Sequence, residues 1–134
     1  MTKQELIKEA FLARKQAYAP YSKFKVGAAL LCESGAVFRG CNVENASYGA
    51  TMCAERTALF SAVASGERRL EMIAIVGGNE FEFNEVNGYA YPCGMCRQAL
   101  SEFCKPDMPV IVARSEEDYK EFTMKELLPE AFTL

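Results

Sequence analysis

The chain opens on Thr2-Lys3-Gln4-Glu5, a polar cluster in which a Thr and a Glu three positions on can cap each other's backbone N–H groups. Behind it Leu6, Ala10, Ala13 and Ala17 recur at helical spacing, Ile7, Phe11 and Leu12 widen the apolar face, and Pro20 ends the run. Lys25 to Cys32 has the pattern of a strand, Ser34-Gly35 marks a turn, and Ala36 to Cys41 reads as the second strand of a hairpin. A polar stretch, Asn42 to Thr51, precedes a helical run from Cys53 to Ala64 that Gly66 stops. Met72 to Val76 is a short apolar strand, Gly77 to Tyr91 a loop, and Cys93 to Phe103 a further helix before Pro106. Pro109 to Ala113 reads as a buried strand and Tyr119 to Phe122 as an edge strand. Thr123-Met124-Lys125-Glu126 repeats the capping pattern and opens a short helix that Pro129 ends.

Strand–helix–strand units call for parallel pairing and the hairpin for antiparallel pairing. The expected fold is therefore a three-layer α/β/α sandwich around a mixed sheet of about five strands. A chain of 134 residues, half of them hydrophobic, suits one core, so residues 1–134 are expected to form a single domain.

The net charge of −3 argues against a broad phosphate-binding surface, and no nucleic-acid partner is expected. No apolar run approaches the roughly 20 residues of a membrane helix, so no membrane partner is expected. The charged start (Lys3, Glu5, Lys8, Glu9) is unlike a signal peptide, which makes the cytoplasm the expected location. Six cysteines in that setting read as thiols or metal ligands rather than disulfides. There is no histidine, so any zinc must be held by thiolates or carboxylates, and any general acid or base must be another residue type.

Three of the cysteines have metal-ligand spacing. Cys93-Gly94-Met95-Cys96 is a C-x-x-C, and Cys53 lies one strand upstream, two residues before Glu55. Both segments begin helices, and placing Cys53 and Cys96 in first turns favours the thiolate form that binds metal. Three thiolates leave a tetrahedral Zn²⁺ one open position, the arrangement of a catalytic rather than a closed structural site. Such a site is anionic and calls for a nearby cation. Arg56 and Arg97 are the candidates, and Arg56 is preferred because a guanidinium can donate to two sulfurs. Glu55, beside the metal, is placed to carry protons from a dehydrated pocket with a raised pKa. A C-x-x-C alone is shared by structural zinc sites, redox motifs and chance. Combined as Cys53-Ala54-Glu55 and Pro92-Cys93-x-x-Cys96, the signature is that of the zinc nucleobase deaminases.

The chain resembles the small homotetrameric branch of the cytidine deaminase family. The resemblance is carried by Tyr18-Ala19-Pro20-Tyr21-Ser22-Lys23-Phe24, Val26-Gly27-Ala28-Ala29-Leu30, Gly40-Cys41-Asn42-Val43-Glu44-Asn45, Cys53-Ala54-Glu55-Arg56-Thr57-Ala58, Pro92 to Gln98 and Leu127 to Phe132. It implies one Zn²⁺ per subunit on Cys53, Cys93 and Cys96, with Glu55 as proton shuttle and Arg56 bonded to the thiolates. It further implies that Phe24 packs on a pyrimidine ring, that Asn42 and Glu44 hold a sugar hydroxyl, and that the Ala54 N–H faces the pyrimidine carbonyl. Tyr48 and Phe132 would reach a neighbouring subunit's pocket, so that a homotetramer shares its active sites. The implied reaction is hydrolytic deamination of free cytidine or deoxycytidine, a small-molecule substrate, in pyrimidine salvage. Two alternatives stand beside it: a deaminase of a modified aminopyrimidine nucleoside of the blasticidin S type, and a non-catalytic zinc module closed by a fourth thiol such as Cys41. Gly77 to Tyr91 is longer than the resemblance leads one to expect and lies directly before the metal loop.

Overall fold

The computed structural model describes all 134 residues, Met1–Leu134. The elements run α1 (Lys3–Arg14), β1 (Phe24–Cys32), β2 (Val37–Cys41), a 3-10 turn (Tyr48–Ala50), α2 (Ala54–Ala64), β3 (Leu70–Asn79), α3 (Gly94–Ser101), β4 (Pro109–Ala113), β5 (Tyr119–Thr123) and α4 (Met124–Leu127). Both capping boxes form: Thr2 with Glu5 opens α1, and Thr123 with Glu126 opens α4.

The strands make one five-stranded sheet in the order β2-β1-β3-β4-β5. β1 pairs antiparallel with both β2 and β3, β3 pairs parallel with β4, and β4 pairs antiparallel with β5. The expected mixed sheet is thus present. The crossover through α2 carries the chain past β1, so β2 and β3 run in the same direction with β1 between them.

Alternation along β1 separates the two sides of the sheet. Ala28, Leu30 and Cys32 pack with Ala58, Leu59 and Ala62 of α2 and Leu100 of α3. Ala29 and Leu31 pack on the other side with Leu6, Ile7 and Ala10 of α1. Small residues bring the helices close. A Cβ on Gly40 of β2 would stand 2.3 Å from the Ala54 carbonyl oxygen and 2.4 Å from the Ala58 nitrogen, so α2 lies directly on β2 there.

Two boundaries differ from the sequence pattern. α1 ends at Arg14, well before Pro20, because the Tyr18 N–H donates to the Asn42 carbonyl (3.0 Å) and pulls the chain into a bridge with Val43. β3 runs on to Asn79, with Gly77 and Gly78 paired to Val26 and Lys25. Those glycines are strand positions that other side chains approach closely, not the start of a loop.

Candidate active site

Cys53 is the N-cap of α2, Cys93 is the N-cap of α3, and Cys96 lies in the first turn of α3. Cys53 therefore sits just ahead of its helix rather than within the first turn. Neither N-cap side chain caps its own helix, which leaves both sulfurs for other partners. The three sulfurs lie within 4.8 Å of one another, and Cys53 and Cys93 are 3.9 Å apart. Sulfurs bound to one tetrahedral zinc at the ordinary bond length stand about 3.8 Å apart, so the cluster has the dimensions of a zinc site.

The electrostatics point the same way. Without a cation the sulfurs cannot all ionise. Cys53 is drawn down to about 5 by the Cys96 thiol's hydrogen bond and then by Arg56, against burial. Cys96 is pushed up by the same hydrogen bond and by burial. A divalent cation among them removes the conflict, because it favours the thiolate at every position. Arg56 Nη2 donates to Cys53 Sγ at 3.4 Å, and the hydrogen bonds to the sulfurs raise its own pKa. Arg97 is engaged elsewhere, donating to the Pro92 and Leu127 carbonyls at 2.8 Å each.

Glu55 follows one residue into α2 and is only 4% exposed. Burial pushes its carboxyl up to about 7, and the neighbouring Cys53 charge adds to the effect. A carboxyl in that range can both take and give a proton near neutral pH. It lines a cavity of about 270 Å³ together with Phe24, Asn42, Ala54, Cys53 and Cys93. Phe24 is 44% exposed and turned to this cavity instead of filling the core. The Ala54 N–H is among the first of α2, a group with no acceptor inside its own helix.

Glu44 and Tyr48 line an adjacent cavity that shares Thr51 with the first. The Glu44 carboxylate accepts from the Tyr21 and Ser22 N–H groups (3.0 and 3.1 Å) and from the Ser22 hydroxyl. The Ser22 hydroxyl bond is the main reason its pKa is held below the usual carboxylate range. Asn42 uses its amide on β1: Oδ1 accepts from Val26 N–H (2.9 Å) and Nδ2 donates to the Phe24 carbonyl (2.8 Å). It therefore fixes the start of β1, with one N–H and one lone pair left over. Phe132 is 69% exposed in the C-terminal tail, where the Gln98 side chain holds its carbonyl at 3.1 Å.

The remaining thiols stand apart from the metal cluster. Cys41 borders a different cavity, with Leu12 and Thr57, so the closed four-thiol module has no fourth ligand there. Burial pushes Cys32 and Cys104 up to about 11, which keeps them protonated and inert. Cys32 is fully buried, whereas Cys41 and Cys104 are only partly so. A larger cavity of about 660 Å³ lies at the opposite end of the sheet, beside Met1, Leu31 and Leu70, far from the thiols and the buried acid.

Residues 1–112 match the model of the cytidine and deoxycytidylate deaminase zinc-binding region. The chain belongs to this deaminase family. It is 48% identical to the cytidine deaminase of Sporosarcina psychrophila over 133 residues, covering 99% of this chain and 93% of the relative. It is 50% identical to that of Halalkalibacterium halodurans over 133 residues, covering 99% and 96%. The crystal structure of cytidine deaminase from Burkholderia pseudomallei superposes with a TM-score of 0.87 at 51% identity, covering 98% of this chain and 100% of that one. The Mycobacterium tuberculosis cytidine deaminase structure gives 0.83 at 37% identity, covering 100% and 99%. The zinc-binding region of the family and the three-thiol cluster together fit one zinc per subunit in this deaminase.

Sequence reasoning missed Ala90 and Tyr91, which line the cavity with Phe24, because they lie in a segment without periodicity. It also missed Arg14, a buried cation whose signal was visible: it occupies a position in line with Ile7 and Ala10 on the apolar face of α1.

Proposed function

We infer that this chain hydrolyses the 4-amino group of free cytidine or deoxycytidine, giving uridine or deoxyuridine and ammonia. The observation that carries this reading is a buried acid, Glu55, on the wall of one small apolar cavity beside Cys53 and Cys93 of the three-thiol cluster. Zinc, when held by Cys53, Cys93 and Cys96, supplies the acidity that makes water nucleophilic near neutral pH.

The chain's own residues have distinct tasks. The Phe24 ring packs on the pyrimidine, and the Ala54 N–H donates to its C2 carbonyl. The adjacent cavity at Glu44 and Asn45, which shares Thr51 with the first, receives the sugar, with Glu44 and the spare Asn42 valences on its hydroxyl. Glu55 takes a proton from the attacking water and gives it to N3 as the C4–O bond forms. It then takes the proton of the new C4 hydroxyl and passes it to the amine, and the C4–N bond breaks with release of ammonia. One water is consumed and one ammonia leaves, with no change in oxidation state.

The finer features belong to the same proposal. Residues 1–134 act as a single deaminase domain. Four copies assemble and share their sites, a reading supported by large apolar side chains left in solvent, among them Tyr48 beside the Glu44 cavity at 81% exposure and Phe132 in the C-terminal tail. A cytoplasmic location is supported by six free thiols, which persist in a reducing compartment; no helix is long and apolar enough to cross a membrane.

Cytidine turnover followed by ultraviolet absorbance tests the reaction. The zinc-loaded parent should be active and Glu55→Ala, folded and zinc-loaded, should lose kcat by a factor on the order of 10³ or more. Asn42→Ala should mainly raise KM. The reverse pattern would overturn the assignment of roles. Sedimentation of the parent should give a tetramer.

A further inference from the structure

The segment between β3 and α3 is held by an arginine from the far side of the sheet. Arg14, at the end of α1, is 4% exposed. Its guanidinium donates to four carbonyls: Lys25 (2.9 Å), Gly78 (3.0 Å), Asn79 (2.7 Å) and Glu82 (2.5 Å). A buried cation is tolerable only when its donors are satisfied, so this side chain ties those four backbone points to one place. Burial lowers its pKa while the charge of Glu82 raises it, and the group remains a cation.

Glu82 makes the second half of the arrangement. Its backbone carbonyl takes an Arg14 donor, while its carboxylate accepts from the Asn79 N–H (2.7 Å) and the Asn87 N–H (3.0 Å). The loop is thereby folded back on itself. Its far end is also anchored, since Val86 is buried and its N–H donates to the Arg114 carbonyl at 2.9 Å. Tyr91 rests edge-on against Phe122 of β5 with ring centroids 5.9 Å apart.

Both sides of the ring cavity meet at this arrangement. Lys25, whose carbonyl Arg14 holds, lies between Phe24 and Val26, two residues of one wall; the loop leads to Ala90 and Tyr91 on the other. Phe24 and Ala90 flank the same glycine: a Cβ on Gly77 would stand 2.7 Å from Ala90 Cβ and 3.0 Å from Phe24 Cε1. Ala90 and the Phe24 ring thus border one small space over Gly77, and a shift of the loop changes its width.

We propose that Arg14 and Glu82 are positioning residues for substrate: together they set the separation of the Phe24 wall from the Ala90–Tyr91 wall, and the long loop is a fixed side of the pyrimidine pocket. Neither residue touches the thiol cluster or Glu55, so their effect falls on binding of the ring. The proposal rests on the reading that this cavity receives the pyrimidine of cytidine.

The test uses the zinc-loaded full-length protein with cytidine. Glu82→Ala should raise KM about tenfold and change kcat by less than about threefold, at parental zinc content. Amide hydrogen exchange at Asn79 and Asn87 should rise in the same variant. Glu82→Gln, which keeps one acceptor oxygen, should restore part of the KM. Arg14→Lys should move KM in the same direction; if it fails to fold, the Glu82 pair decides alone. An unchanged KM in Glu82→Ala, with or without faster exchange, overturns the proposal. So does a loss of kcat accompanied by loss of zinc. Failure of the underlying reading has a separate signature: the parent would not turn over cytidine, or Phe24→Ala would leave its KM unchanged.

Discussion

The close approach of β2 to α2 makes Gly40→Ala a sharp probe of how the fold holds the reacting groups. The new methyl would lie 2.3 Å from the Ala54 oxygen, 2.4 Å from the Ala58 nitrogen and 2.9 Å from Ala58 Cβ. Ordinary contact begins near 3.4 Å, so helix and strand must part by about 1 Å. The obstructing atoms are backbone, which cannot rotate away. Overpacking of this kind costs about 1–3 kcal/mol, and for a domain of this size the melting temperature should fall by roughly 4–12 °C. The displaced atoms include the start of α2, where the N-cap Cys53 is followed directly by Ala54 and Glu55. A misplacement of about 1 Å at reacting groups reduces turnover by a factor on the order of 10². Differential scanning fluorimetry, zinc content and cytidine kinetics on one preparation measure all three effects. Gly27→Ala is the control. Its Cβ would meet the Ala10 oxygen at 2.1 Å and the Arg14 nitrogen at 2.5 Å, a clash with α1 on the opposite face of the sheet. It should lower the melting temperature comparably and leave zinc content unchanged. A Gly40→Ala protein with parental melting temperature and parental kcat would show that α2 slides freely, and would refute the reasoning.

The raised carboxyl of Glu55 predicts a pH-dependent stability in the chelated protein. A folded pKa of about 7 against the ordinary 4.5 means the buried acid is tolerated below pH 4.5, costs stability progressively as pH rises from 4.5 to 7, and has its full penalty above 7. At pH 8 the metal-free Glu55→Gln variant should be more stable than the metal-free parent by on the order of 3 kcal/mol, and the two should converge toward pH 4.5 in denaturant titrations. Equal stabilities at pH 8 would count against the burial argument. Arg56→Gln removes the cation that donates to Cys53 Sγ, so zinc affinity measured by competition with a chelator should fall by roughly 10- to 100-fold. An unchanged affinity would mean the thiolates need no compensation from that guanidinium.

Local features of this chain were determined by sequence alone. The capping boxes at Thr2 and Thr123 involve groups three residues apart, so no tertiary contact is needed to specify them. The strand pattern of Lys25 to Cys32 was legible too, although only packing shows which of its residues face α1 and which face α2. The thiols and Glu55 were legible because a zinc site demands particular residue types at particular spacings. What only the tertiary structure decided are contacts between distant segments. Cys53 and Cys93 are 40 residues apart in the chain and 3.9 Å apart in space. Arg14 falls within the helical run, but its acceptors lie 11 to 68 residues away, and only the pairing of β1 with β3 brings them to one point. Gly77 and Gly78 read as the start of a loop, since glycine signals flexibility when nothing is known of its neighbours. In the fold they are strand positions, because Phe24, Ala90 and Glu82 approach too closely for any side chain. Asn42 likewise lies in a polar stretch with no visible partner until β1 arrives beside it and takes one of its two N–H groups and one of its lone pairs. Periodicity encodes which face of an element is buried; it does not encode which backbone groups will meet there, and the walls of this pocket are made of those meetings.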